Sequence, residues 1–83
     1  MVRVKEIYVL ADGEKVLAGS PEELLEHMRS GSFDETKDLA DYMFKFSERC
    51  LLSMHVVVRI DTPEHFVEDL KRHGMIQDVL QAN

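Results

Sequence analysis

The chain has 83 residues, a single cysteine and a formal charge of −6 at pH 7. That length is one α+β-sized domain (1–83) with one core, burying roughly 60–65% of the surface its unfolded form exposes. The acidic balance argues against general affinity for nucleic-acid phosphates, and no run of about 18 apolar residues offers a membrane span.

The N-terminus enters alternating charge at once (Arg3, Lys5, Glu6) with no apolar leader, so a cytoplasmic location is expected. A lone Cys50 suits a reducing compartment and provides neither a disulfide nor a thiolate metal site. No cofactor is expected.

In chain order, Val2 to Leu10 is rich in β-branched and aromatic residues and stops at Asp12-Gly13, after which Lys15 to Ala18 resumes. This predicts a β-hairpin, with Gly13 supplying the positive φ of its turn. Ser20-Pro21-Glu22-Glu23 then opens a helix: a capping hydroxyl, a proline with helical φ and early carboxylates. Ser20 and Glu23 have capping-box spacing, and Gly31 is placed to stop the helix in a left-handed conformation. Leu24, Leu25 and Met28 form the apolar face.

Asp34 is the candidate cap of a second helix, whose residues Leu39, Tyr42, Met43, Phe46 and Cys50 recur at three- and four-residue steps. Lys37, Asp38, Asp41, Lys45, Glu48 and Arg49 fill its outer surface. Met54, Val56, Val58 and Ile60 alternate with His55, Val57, Arg59 and Asp61, which predicts the third strand. Thr62-Pro63 starts the third helix, with Phe66, Val67 and Leu70 inward and Gly74 as its stop. The tail from Met75 to Leu80 fits a helical turn or a short strand.

The phrases Ser20–Arg29 and Thr62–Lys71 match in pattern: hydroxyl, proline, acidic turn, apolar pair, base. An internal duplication would produce this, and so would two strand-to-helix junctions using the same capping chemistry. The likeness ends within the helices, which favours the second account.

The predicted order is β-β-α-α-β-α, an α+β two-layer sandwich with a three-stranded sheet and helices on one face. The first strand takes the centre and the third lies on its free edge. With Met54, Val56, Val58 and Ile60 turned to the helices, His55, Val57 and Arg59 fall on the open face, joined by Arg3, Lys5, Ile7 and Val9. That face would be apolar in the middle and basic at its rim. The helices carry acids at Glu22, Glu23, Glu26, Asp34, Glu35, Asp38 and Asp41. Phe44 lies well around its helix from Phe46, which marks it as a contact residue or one covered by a neighbour.

His65, Asp69 and His73 are spaced by four on the third helix. The outer pair is about 12 Å apart along the axis at 1.5 Å per residue, too far for one zinc, so a solvated polar face is the expectation. Cys50 continues the apolar stripe, where a thiol is inert. No paired carboxylates, phosphate loop or dinucleotide fingerprint stands out, and no enzyme is expected.

Through the cap phrases, Tyr42-Met43 and the segment from His55 to Ile60, the chain resembles a group of small hypothetical bacterial proteins with repeated [ST]-P-E strand-to-helix junctions. Those motifs are caps and core positions, so the resemblance implies a bacterial cytosolic α+β domain and carries no functional residue. The function expected is a non-enzymatic protein–protein interaction domain, a homodimer formed through the open sheet face or the edge of the third strand. Ile7, Val9, His55, Val57, Arg59 and Phe44 are the candidate contacts. The alternative is an acidic regulatory protein, such as an antirepressor, inhibitor or nucleic-acid mimic, that binds a basic protein partner.

Overall fold

The computed structural model describes residues 5–32 and 35–81. Its elements are β1 (Glu6–Leu10), β2 (Lys15–Ala18), α1 (Pro21–Ser30), α2 (Leu39–Met54), α3 (Pro63–Arg72) and β3 (Ile76–Gln81). The class is α+β, with an open antiparallel sheet ordered β2-β1-β3. β1 is central, as its apolar composition implies.

The hairpin closes as its sequence dictates. Gly13 takes φ 91, its N–H donates to the Leu10 carbonyl at 2.9 Å, and the Asp12 carboxylate accepts from the Glu14 N–H at 2.9 Å. Both repeated phrases are helix starts. Ser20 Oγ accepts from the Glu23 N–H at 3.1 Å, and Thr62 Oγ1 accepts from the His65 N–H at 3.1 Å, each with proline in the first turn. Gly31 ends α1, but at φ −93 rather than in the left-handed region. Its own N–H bonds back to the His27 carbonyl, so no left-handed turn is needed.

Two expectations for α2 change. The Asp34 cap lies outside the described residues, and the observed cap is Asp38, whose carboxylate accepts from the Asp41 N–H at 2.8 Å. Asp38 is therefore the helix's first signal and not part of its outer surface. At the other end α2 runs on to Met54. No glycine or proline interrupts residues 39–61, so nothing stops the helix near Cys50, and it ends only where His55 turns left-handed at φ 56.

The predicted strand Met54–Ile60 consequently does not exist: Met54 closes α2, and residues 55–60 form a connector outside the sheet. The third strand is β3, so the observed order is β-β-α-α-α-β. Gly74, at φ 81, reverses the chain directly after α3, and the Met75 carbonyl accepts the Ala11 N–H at 3.0 Å. This short reversal delivers residues 76–81 to the free edge of β1. A bulge between Val9 and Leu10 absorbs Gln77 and re-aims Ile76 toward the core.

Tyr8, Val16, Ala18 and Ile76 face the helices and are buried. α1 packs on β2, α3 packs on β3, and α2 rests on α1. Leu24, Leu25, Phe66 and Leu70 are wholly buried between the layers, each worth about 1.5–3 kcal/mol relative to exposure. Phe46 links α2 to the core by an edge contact with Phe66 at 5.5 Å between centroids. Val58 enters the same cluster from the connector.

Candidate interaction surface

The pairing of β1 fixes which side chains share the uncovered face. Ile7 stands opposite Leu17 on one side and Leu80 on the other, while Val9 stands opposite Lys15 and Asp78. Directly opposed residues point the same way and neighbours along a strand point oppositely. All six therefore lie on the face away from the helices. Leu17 is 54% exposed and Leu80 43%; Ile7 and Val9 are half-buried between their neighbours. The result is an apolar cross-strand row, Leu17–Ile7–Leu80, beside a second row, Lys15–Val9–Asp78.

Ile7 and Val9 thus lie on the open face as the alternation of β1 implies. Among the described residues the basic rim does not form. Its edges carry one cation, Lys15, and one anion, Asp78. Arg3 lies outside the described residues, and Lys5 turns its Nζ toward Glu23 at 3.3 Å.

His55, Val57 and Arg59 are not on this face, because they belong to the connector between α2 and α3. Burial there alternates only from His55 to Arg59, with Val58 in and Val57 out at 74% exposure, and ends at Ile60, which is exposed. Val57 and Phe44 border one hollow of about 190 Å³, also lined by Ser47, Glu48, Leu51 and Val58. Phe44 is half exposed. The candidate contacts therefore divide between two surfaces, the sheet face and this α2–connector corner.

Arg59 has a structural task. Its N–H and guanidinium grip the Asp69 carboxylate, with bonds of 2.8 Å from the backbone, 3.1 Å from Nε and 2.9 Å from Nη2. Asp69 is 3% exposed, contrary to the solvated face expected for it. These hydrogen bonds, with the guanidinium charge behind them, hold its carboxyl down to about 2. The expected helical stripe is divided as well: His65 Nδ1 lies 2.9 Å from Asp61, and His73 caps the end of α3. Among the described residues no cluster of three metal-ligating side chains is present.

Cys50 and Tyr42 are packed. Cys50 is buried, its Sγ 3.7 Å from the Met75 sulfur, and burial pushes its thiol up. Tyr42 lines a hollow of about 510 Å³ with Leu10, Glu14, His27 and Met28 among others. Burial raises its hydroxyl to about 12, which keeps it protonated.

On the sheet face, Leu17 and Leu80 are the residues that sequence reasoning missed, and on α2 it missed the exposed Leu51 and Leu52. For Leu17 the signal was present, since it alternates with Val16 and Ala18. Leu80 could be placed only once the tail was known to be a strand. No helix among the described residues is long and apolar enough to cross a membrane. Comparison with protein-family models, with curated proteins and with solved structures gave no match to the chain.

Proposed function

We propose that the chain is a non-enzymatic interaction domain that associates with a second copy of itself through the open face of its sheet. The observation carrying this reading is the row Leu17–Ile7–Leu80, three large apolar side chains abreast with no helix over them. Covering them removes apolar area from water at about 25 cal/mol per Å². The face is small. Three strands about 4.8 Å apart and about five residues long give a flat area on the order of 250 Å², against about 800 Å² per partner in a standard interface. The dimer is accordingly reversible and weak. A basic protein held on the helices has less support, because Glu23, Glu26 and Asp41 already face Lys5, Arg29 and Lys45.

Sedimentation equilibrium from micromolar to millimolar protein tests the reading. The average mass should climb toward twice the monomer value, and Leu17→Glu should hold it at the monomer without lowering the unfolding midpoint, since Leu17 is half exposed. A native chain that stays monomeric at millimolar concentration, or a Leu17→Glu variant with an unchanged isotherm, overturns it.

A further inference from the structure

Lys15 and Asp78 sit in one cross-strand row at opposite edges of the sheet, with Val9 between them. This row is its own electrostatic complement only under one symmetry. From it we infer that two copies pack face to face about a two-fold axis running along the strands, so that Lys15 of each copy opposes Asp78 of the other. The inference rests on the self-association proposed above and specifies its geometry.

A homodimer interface places the same patch on both sides, related by a two-fold axis. Aligned sheet packing keeps the strands of the two copies within about 30° of each other and leaves two choices of axis in the interface plane. An axis along the strands keeps their direction and exchanges left for right. β2 then covers the partner's β3, the two β1 strands face each other, and each cross-strand row meets itself reversed. Leu17 lands on the partner's Leu80, Ile7 on the partner's Ile7 and Lys15 on the partner's Asp78, giving apolar on apolar and two ion pairs.

An axis across the strands lays β2 on the partner's β2. Centred on the charged row, it sets Lys15 against Lys15 and Asp78 against Asp78. Centred between the rows, it presses both charges onto leucines. Either costs free energy, through like-charge contact or through desolvation without a partner; centred on the apolar row, it stacks leucine on leucine but sets neither charge against its opposite. In the along-strand arrangement both charges remain at the rim, where they keep contact with water and are cheap to pair.

Two measurements decide this. In sedimentation equilibrium, Lys15→Asp or Asp78→Lys alone converts both ion pairs into like-charge contacts and should weaken dimerisation by about tenfold; the combined Lys15→Asp/Asp78→Lys variant should return to the native isotherm. For the second, Lys15→Cys and Asp78→Cys proteins are oxidised separately and as a mixture, with native Cys50 protected by its burial. The mixture should give the mixed disulfide dimer by intact mass, and neither protein alone should cross-link. Single charge reversals without effect, or self-cross-linking of the Lys15→Cys protein, overturn the axis while leaving self-association standing. A native chain that never dimerises overturns both.

Discussion

Two segments of this chain carry the same written pattern and meet different ends. Glu6–Leu10 and the stretch from Val56 to Ile60 are both five residues long and carry β-branched side chains. The first became the central strand, hydrogen-bonded on both edges. The second lies outside the sheet, yet still sends Val58 into the core and Val57 to solvent. Alternation therefore reports which side of an extended chain is covered, whereas pairing depends on which other segment reaches the free edge. A long helix without breakers carried residues 56–60 away from that edge, and a single reversing glycine brought residues 76–81 to it. Where β1 satisfies its backbone by ladder bonds, the Arg59 N–H of the connector donates to a side chain, the Asp69 carboxylate.

The comparison is broken most severely at the strand. Tyr8 is buried at the centre of β1 against the helices, so Tyr8→Ala removes a ring from the core and should cost about 3–4 kcal/mol, read from the urea midpoint at unchanged slope. The connector's equivalent anchor is polar. Asp69→Asn keeps the shape but gives up the charge-assisted grip on Arg59, and should cost about 2–3 kcal/mol. Its pH dependence is diagnostic. The Asp69 carboxyl titrates at about 2 in the folded chain, below the ordinary value of about 3.9, so its contribution is complete above that ordinary value. It is lost as pH falls through the interval down to about 2. Native and Asp69→Asn stabilities should therefore differ most near neutrality and converge in acid. Asp41 and Asp61 are lowered too, but they are common to both proteins and cancel in the difference.

What the sequence made legible follows from range. Caps at Ser20 and Thr62, the Gly13 turn and the inward faces of all three helices depend on residues within one or two turns, and each was found where local chemistry put it. The class, the central place of β1 and the facing of Ile7 and Val9 follow from composition and alternation. The identity of the third strand did not, because it was a competition between residues 54–60 and 76–81 for one edge, settled by where α2 ends and where Gly74 turns. The surface inherited that error: His55, Val57 and Arg59 were carried onto a face they never reach, and Leu80 was left off it. Asp69 was read as solvated because helical spacing marks which residues share a face but not which distant segment crosses it.

The smallest expected effect separates the two apolar surfaces. Val57 is an exposed residue of the connector, and it borders the Phe44 hollow rather than the sheet. Val57→Glu should therefore change stability by less than about 0.5 kcal/mol. If association runs through the sheet face, it should also leave the sedimentation isotherm unmoved, whereas Leu17→Glu abolishes the dimer. Each substitution replaces an exposed aliphatic side chain with a carboxylate, so the contrast between them reads surface location. A Val57→Glu protein that dissociated while Leu17→Glu still dimerised would move the contact to the α2–connector corner, with residues 56–60 finding in a second copy the strand pairing that their own chain denies them.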